Sequence, residues 1–201
     1  MFVENEEKPG KSVSGKILLA LTGGLGLAIT CVSIPFVSPA FRKICLPYVP
    51  ATPAQITNVL SALHRASGLP KPPRNLVLDI GSGDGRIVLA TAKEGYKSHG
   101  VELNRFLVYY SRLSAARCGL WNDVRFFRKN LWQFNISPYS HIVIFGVDCM
   151  MDDLEKKLKS EVTEHCTIVA CRFPFPTLRP SDTIEAGVDS VWTYKINQAK
   201  S

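Results

Sequence analysis

The sequence predicts an α/β fold in which a mostly parallel sheet carries helices on both faces. Predicted strands and helices alternate from residue 76 onward, which is typical of repeated βαβ units. The apolar strand Leu76–Asp79 runs into three glycines and then into a helix over Gly85–Lys93. The next strand ends at an acidic residue, Glu102, about twenty positions after the glycines. These features predict a nucleotide-type crevice at the carboxyl edge of the sheet.

The remaining elements follow from periodicity and from turn residues. Before the first strand, apolar residues at helical spacing predict an amphipathic helix over Ala54–Ala66, which ends before three prolines. A glycine at position 187 divides the last apolar stretch into an antiparallel hairpin, the ending expected of a seven-stranded sheet. In chain order, the later elements are strand Tyr96–Glu102, helix Asn104–Ala116, strand Val124–Phe127, strand His141–Val147, helix Asp152–Ser160, strand Cys166–Cys171 and a hairpin of Thr183–Glu185 with Val188–Tyr194.

The glycine loop narrows the choice of nucleotide. A dinucleotide site requires G-x-G-x-x-G, but Arg86 stands at the place of the third glycine, and no Gly-Lys-Ser/Thr follows for a phosphate loop. An acidic residue at 79, two positions before the first glycine, instead resembles the cofactor loop of class I S-adenosyl-L-methionine-dependent methyltransferases. Asp79, Gly81, Ser82 and Gly83 are therefore predicted to bind S-adenosyl-L-methionine. A strand–turn–helix corner that binds nothing is the alternative.

Three further positions are predicted to complete the cofactor site. Glu102 is placed to accept both ribose hydroxyls, and Leu103 to lie against the adenine ring. In class I methyltransferases an acidic or amide side chain after the third strand meets the adenine amino group, which is the position of Asn130. The backbone N–H of Leu131 would then meet a ring nitrogen. A helix-start carboxylate, a core leucine and a turn-forming asparagine are the alternatives.

Composition favours one well-packed domain with an appendage. The chain has 201 residues, of which 46% are hydrophobic and 20% charged, and its net charge is +7. The basic residues form no long block, so charge does not point to nucleic acid. The six cysteines form no C-x-x-C pair and no zinc-type cluster with histidine. We therefore expect reduced thiols, no metal site and no nucleic-acid partner.

The N-terminal region is typical of a membrane anchor followed by a linker. Residues 1–16 are polar and of mixed charge, whereas residues 17–37 carry no charge over roughly the length that a bilayer-spanning helix needs. Prolines in residues 38–53 predict a linker. The methyltransferase domain is therefore expected to occupy residues 54–201. A secretory signal peptide is the alternative for the apolar run.

The ends of the fourth and fifth predicted strands are expected to face the reaction. Asp148 is a candidate for handling the proton of an acceptor amine, and a helix N-cap is its alternative role. Phe173, Phe175, Trp192 and Tyr194 are candidates for the walls of an acceptor channel, and packing on the sheet is their alternative role. No Asn/Asp-Pro-Pro-Tyr/Phe motif follows the fourth strand, which argues against a nucleobase acceptor.

Six segments carry a more specific resemblance. They are LPYVPAT (46–52), DIGSGDGRIV (79–88), ELN (102–104), VIFGV (143–147), CRFPFP (171–176) and DSVW (189–192). This set resembles a small family of mitochondrial lysine methyltransferases, whose two vertebrate branches modify the ATP synthase c-subunit and the adenine nucleotide translocase. The resemblance implies a membrane-anchored protein-lysine N-methyltransferase of the mitochondrial inner membrane, closer to the c-subunit branch. It also implies that Thr52 lies on the cofactor side.

The chain departs from that family at three places. Arg105-Phe106 stands where the family usually has Pro-Trp, and Asn130 stands where it has Asp. Around Asp148-Cys149 the c-subunit branch has Pro-Gln, so Asp148 inherits no role from the resemblance. Methylation of the translocase, methylation of a lipid-soluble small molecule and a catalytically silent membrane scaffold are the alternative functions.

Overall fold

The computed structural model describes residues 13–37, 49–67, 76–162 and 166–196. Most of the predicted polar N-terminus (1–16) and of the predicted linker (38–53) lies outside these residues. The described helices are α1 (Val13–Val37), α2 (Pro53–Ser67), α3 (Arg86–Lys93), α4 (Arg105–Arg117) and α5 (Asp148–Glu161). The described strands are β1 (Leu76–Ile80), β2 (Lys97–Glu102), β3 (Val124–Arg128), β4 (His141–Phe145), β5 (Cys166–Cys171), β6 (Asp182–Ile184) and β7 (Val191–Ile196).

The predicted membrane anchor, residues 17–37, lies in α1. This helix belongs to a compact unit, Met1–Pro47, separate from the unit Tyr48–Ser201. The hydroxyls of Thr22 and Thr30 donate to carbonyl oxygens one turn earlier in α1, at 2.9 Å and 2.8 Å. Across the described residues, no helix combines the length and the apolar character that crossing a bilayer requires. The expectation of a membrane-spanning anchor is therefore not supported.

The seven strands form one sheet in the order β3-β2-β1-β4-β5-β7-β6. Strands β1 to β5 are parallel, whereas β7 runs antiparallel to both β5 and β6. This arrangement confirms the predicted α/β fold and its closing antiparallel hairpin. The strand order reverses between β1 and β4, and the carboxyl ends of strands at such a point flank a ligand-binding crevice. Asp79 lies there, paired with Gly100 of β2 and Val143 of β4.

Both faces of the central strands β1, β4 and β5 are buried. Successive side chains of a strand point to opposite faces, so Leu78, Ile142 and Ile168 share one face, where they pack with Met151 and Leu154 of α5. The opposite face packs against α2 and α3 through Val59, Leu63, Val77, Ile87, Val143 and Val169. Because neither face of these three strands meets water, they are mostly apolar runs, whereas the edge strand β3 alternates buried residues with an exposed Arg125.

Helix α5 begins one turn earlier than the sequence predicts. Strand β4 ends at Phe145 instead of residue 147, and α5 starts at Asp148 instead of residue 152. Met150 and Met151 are 9% and 1% exposed and belong to the main core cluster. Their burial stabilises a first helical turn that the local sequence does not mark, since acidic residues at 152 and 153 look like a helix start.

Candidate cofactor site

The loop between β1 and α3 turns sharply. The backbone torsion φ is +75° at Gly81, +53° at Gly83 and +81° at Gly85, a region that residues with a Cβ rarely adopt. A Cβ at Gly85 would also lie 2.8 Å from the ring of Phe126 and 2.9 Å from Ser111. At Gly81, by contrast, an added Cβ would meet nothing within 4 Å. The loop is therefore packed tightly on the sheet at its end and open at its beginning.

Glu102 is oriented by the backbone around it. Its Oε2 accepts the N–H of Gly83 at 3.1 Å, and its Oε1 accepts the N–H of Asn104 at 2.7 Å. A carboxylate offers about four lone-pair sites, so two donors orient the group without using up its capacity to accept hydrogen bonds. Glu102 thus joins the glycine loop to the end of β2 and can accept further bonds from a pair of ligand hydroxyls.

Two polar side chains under the loop are buried. Asp79 and Ser82 are 2% and 5% exposed, and within the described residues neither Asp79 Oδ1 nor Ser82 Oγ has a hydrogen-bond partner. Burial, with the negative charges of Glu102 and Asp84, raises the pKa of Asp79 from 3.8 to about 8. A cationic ligand would favour the ionised carboxylate. S-adenosyl-L-methionine carries sulfonium and ammonium charges, so the residues present fit this cofactor.

Arg86 clamps the glycine loop to the segment before α2. Its Nε and Nη2 donate to the Asp84 carboxylate at 2.6 to 3.0 Å, and its Nη1 donates to the carbonyl of Ala51 at 2.6 Å. A two-pronged arginine–carboxylate pair fixes the orientation of both groups. Sequence reasoning missed this contact. The Asp-x-Arg spacing could have indicated the ion pair, but the bond to Ala51 joins positions that are 35 residues apart.

Thr52, the additional cofactor-side candidate, caps α2. Its Oγ1 accepts the N–H of Gln55 at 3.0 Å, and its hydroxyl donates to Asp189 Oδ1 at 2.8 Å. The side-chain amides of Gln55 and Asn58 donate to the carbonyl of Asp189 at 3.2 Å and 2.9 Å. Thr52 therefore fixes the start of α2 against the turn before β7. Any contact of Thr52 with the cofactor stays a prediction.

The predicted adenine contacts lie together. A cavity of about 380 Å³ at the end of β3 is lined by Leu103, Arg128, Lys129, Asn130 and Gln133. Leu103 is 53% exposed, so its side chain is available to a ligand. The side-chain oxygen of Asn130 accepts the N–H of Trp132 at 3.1 Å, and Leu131 is half-buried against the core. The structure thus brings Leu103 and Asn130 to one cavity, directly after Glu102.

Asp148 is exposed at the first turn of α5, after the end of β4. The N-cap of the helix is Val147, so the alternative role of Asp148 as N-cap is wrong by one residue. A carboxylate in the first turn interacts favourably with the helix dipole, which is a sufficient structural reason for an acid there. Its role in proton transfer stays a prediction.

The aromatic residues proposed for an acceptor channel separate into two pairs. Phe175 and Tyr194 are 4% and 1% exposed, and their ring centroids lie 5.0 Å apart in an edge-on arrangement. The Phe175 N–H donates to the Tyr194 hydroxyl oxygen at 3.0 Å. These two residues therefore pack the core rather than line a channel. Phe173 and Trp192 are half-buried at the margin of the core and remain candidates.

Arg172 was not singled out as a site residue from the sequence, yet it is unusual in the structure. It has a φ of +69°, and among the described residues it is the one non-glycine in that region. Its guanidinium carbon lies 5.0 Å from the ring centroid of Phe145, and its Nε is buried with no hydrogen-bond partner in the part of the chain described. The preceding thiol, Cys171, has its pKa raised by burial and by the charge of Asp79. A strained arginine thus directly follows the last residue of β5 and lies over the ring of Phe145 at the end of β4.

Comparison with known proteins identifies relatives along nearly the whole chain. A family model described as the ANTKMT methyltransferase domain matches residues 79–182, and one described as the N-terminal domain of the ATP synthase c-subunit lysine N-methyltransferase matches residues 10–42. The ATP synthase c-subunit lysine N-methyltransferase of Xenopus laevis is 47% identical over 97% of this chain and 83% of that protein. The Homo sapiens protein of the same name is 47% identical over 92% and 76%. Adenine nucleotide translocase lysine N-methyltransferase of Mus musculus is 35% identical over 90% and 78%.

Solved structures share the fold at lower identity. An RNA methyltransferase of Salinibacter ruber, in complex with S-adenosyl-L-homocysteine, matches 76% of this chain and 97% of its own with a TM-score of 0.67 at 23% identity. The ribosomal protein L11 methylase of Lactobacillus delbrueckii matches 71% and 79% with a TM-score of 0.56 at 16% identity. S-adenosyl-L-homocysteine is what remains of S-adenosyl-L-methionine after methyl transfer, in agreement with the predicted cofactor. Since curated relatives between 35% and 47% identical cover most of both chains, the protein belongs to the family of lysine N-methyltransferases that includes the ATP synthase c-subunit and adenine nucleotide translocase enzymes.

Proposed function

We propose that this protein transfers a methyl group from S-adenosyl-L-methionine to a lysine of the ATP synthase c-subunit. The observation that carries the proposal is the pair of carboxylates at the glycine loop, a buried Asp79 whose Oδ1 has no partner among the described residues and a Glu102 oriented by two backbone donors. The choice of substrate rests on relatedness. Identity is 47% to the Xenopus c-subunit enzyme and 35% to the mouse translocase enzyme, over similar lengths.

Each part of the cofactor has a proposed partner in this chain. The loop of Gly81, Ser82 and Gly83 would hold the methionine end, with Asp79 beneath it as the counter-charge. Glu102 would accept the ribose hydroxyls through its remaining lone pairs. The adenine ring would enter the cavity at the end of β3, which Leu103 and Asn130 line, and the backbone N–H of Leu131 would meet a ring nitrogen. The Arg86 clamp would hold the loop in register with the segment that carries Thr52.

The reaction requires little covalent assistance from the protein. When bound, the cofactor supplies an electrophilic methyl group on a sulfonium. The protein therefore has to align the acceptor amine and exclude water. The positive charge of the bound cofactor would favour the ionised form of Asp79, and Glu102 would accept the ribose hydroxyls. Together these two residues would orient the cofactor toward the acceptor.

The acceptor amine must lose a proton before it can attack. A lysine with the ordinary pKa of about 10.4 is neutral in roughly one molecule in a few thousand at pH 7. We place the amine between the ends of β4 and β5, beside Phe145 and Arg172. A neighbouring guanidinium and an apolar wall both disfavour the ammonium form, so they would increase the neutral fraction. Asp148, at the first turn of α5, is the proposed proton acceptor.

We assign the catalytic domain to residues 54–201 and the reaction to the mitochondrial inner membrane. The location rests on the family resemblance and on the substrates in the names of the relatives. The translocase is the second candidate substrate, because one relative that methylates it matches 90% of this chain.

The test is methyl transfer from labelled S-adenosyl-L-methionine to inner-membrane extract that lacks endogenous activity. The variant is Glu102→Gln, which keeps the size of the side chain but replaces one acceptor oxygen by a donor. Glu185→Gln is the matched control, since Glu185 is an exposed carboxylate outside the site. We expect Glu102→Gln to lower transfer at least 100-fold, in line with the loss of a charged contact to a bound hydroxyl. Glu185→Gln should act like the parent protein.

Products are resolved by protein size and by organic extraction. Label in a very small proteolipid supports the c-subunit as substrate, and label at carrier-protein size moves the assignment to the translocase. Label confined to small lipids overturns protein methylation. Absence of label, with cofactor binding demonstrated, overturns the catalytic proposal and favours the scaffold function. Equal activity of Glu102→Gln and Glu185→Gln would contradict the ribose assignment.

A further inference from the structure

Helix α4 is apolar on both of its sides. Its inner side, which includes Leu107, Val108 and Ala115, is buried against the sheet. The solvent side carries Tyr109 and Tyr110, which are 65% and 54% exposed, and Leu113, which is 49% exposed; Phe106 lies on the same side of the helix. We call Phe106, Tyr109, Tyr110 and Leu113 the outer face of α4. A surface helix normally carries polar residues there, so this face indicates a binding surface.

The charge around the outer face has one sign. Arg105 and Arg117 are exposed at the two ends of α4, and the guanidinium carbon of Arg105 lies 4.8 Å from the ring centroid of Phe106. Residues 103–122 contain no Asp or Glu. From 103 to 147 there are six Lys and Arg against a single acid, Asp123, which pairs with Lys97 at 2.7 Å. The outer face therefore borders a surface of strong positive potential.

Aromatic rings with a cationic border fit a particular kind of partner. Tyrosine and tryptophan concentrate at the boundary between lipid tails and headgroups, because one end of each side chain is apolar and the other is wet. Arginine at the rim is attracted to anionic headgroups. Trp121, four residues past the end of α4, is 61% exposed and adds a further ring of this kind. Protein interfaces are also enriched in Tyr, Trp and Arg, so a protein partner is the alternative that the test has to exclude.

We infer that the outer face of α4 docks the catalytic domain on an anionic lipid surface. The helix lies in the plane of the headgroups, its rings enter the boundary region and its arginines contact phosphates. A 13-residue helix is about 20 Å long, so the three rings of the outer face and two arginines, with Trp121 beyond the helix, make a shallow, reversible contact. This docking does not depend on the proposed methyl transfer, and it is a property of α4 that is separate from α1.

A reporter on the face tests the inference in the full chain. Tyr110→Trp places an indole on the outer face, and Val188→Trp places one at a site that is even more exposed, since Val188 is 69% exposed in the turn before β7. Vesicles of phosphatidylcholine with about one-third phosphatidylglycerol contain brominated acyl chains, which quench indoles at the lipid boundary. The signal of the unsubstituted chain is subtracted from each variant. Quenching reports only on the lipid contact of the added Trp. Binding of another segment of the chain to the vesicles therefore does not produce the same signal.

We expect the added Trp at 110 to be quenched and blue-shifted, and the added Trp at 188 to be unchanged. Replacing Arg105 and Arg117 by glutamine in the Tyr110→Trp protein should raise the lipid concentration for half-quenching more than tenfold, since each arginine near the surface contributes about fivefold. Equal behaviour of the two reporters would overturn the inference. Quenching that is independent of phosphatidylglycerol would also overturn it. The same holds if a protein partner shields the Trp at 110 from solvent in the absence of vesicles.

Discussion

Asp79→Asn should make the cofactor-free protein more stable at neutral pH. The buried carboxyl of Asp79 has its pKa raised from 3.8 to about 8. Such a group holds its proton in the folded state and loses it on unfolding, so stability falls as the pH rises between these two values. The penalty is absent below about pH 4 and complete above about pH 8. Asparagine has no charge to bury and therefore avoids the penalty.

The size of the effect follows from the same shift. Each pKa unit corresponds to about 1.4 kcal/mol, so roughly three units between 3.8 and pH 7 set a ceiling of about 4 kcal/mol. The buried asparagine amide loses its hydrogen bonds to water, and this cost reduces the expected net gain in stability to about 2 kcal/mol. For a chain of this length, that is a rise in Tm of about 4 to 8 °C. The gain should grow from pH 5 to pH 8 and should be accompanied by loss of S-adenosyl-L-methionine binding.

The assay is thermal unfolding of the parent and the variant between pH 5 and pH 8 without cofactor, combined with calorimetric titration of the cofactor. Glu185→Gln is the matched control, because that carboxylate is exposed and lies outside the site. Two results would refute the interpretation of Asp79 as a buried carboxyl that ionises when a cation binds. One is a variant that is less stable than the parent at pH 7.5, and the other is a difference in stability between variant and parent that does not change with pH.

Three further changes test the packing around the site. Gly85→Ala should lower the free energy of unfolding by about 2 to 4 kcal/mol, because φ is +81° and the added Cβ would lie 2.8 Å from Phe126. Urea unfolding measures this loss, and an unchanged stability would contradict the crowding at Gly85. Arg86→Gln should weaken cofactor binding about tenfold and lower stability by about 1 to 2 kcal/mol, because it removes the bonds of Arg86 to Asp84 and Ala51. Unchanged cofactor affinity in equilibrium dialysis would show that these bonds do not position the loop. Tyr194→Phe should lower the free energy of unfolding by about 1 to 2 kcal/mol, because the Phe175 N–H loses its acceptor, and it should leave kcat unchanged. A lower kcat with an unchanged Tm would instead assign Tyr194 to the acceptor channel.

Much of the architecture could be predicted from the sequence because its causes are local. Buried parallel strands are short apolar runs, and a tight turn with positive φ requires glycine, so the position of the loop after Leu76–Asp79 follows from residue types alone. The position of Glu102 at the end of β2 follows for the same reason, since the distance along one βαβ unit is nearly constant. These features need no information about distant parts of the chain.

Other properties depend on residues that are remote in sequence. The hydroxyl of Thr52 bonds to Asp189, 137 positions later, and the local helix-start pattern around Thr52 does not reveal this contact. The pKa of Asp79 depends on burial by the whole sheet, which a sequence pattern cannot quantify. Met150 and Met151 start α5 early because a core is there to receive them.

Helix α4 shows most clearly which features follow from the local sequence and which depend on packing. Its residues are apolar around most of the helix, so periodicity predicts a helix but cannot say which side faces the sheet. Packing on β2 and β3 buries Leu107 and Val108 and leaves Tyr109, Tyr110 and Leu113 in solvent. The order of elements, the glycine loop and the position of Glu102 at the end of β2 are thus encoded in local spacing. Burial, long-range hydrogen bonds and the exposed side of α4 arise only when the strands assemble, because each of them is a relation between segments rather than a property of one.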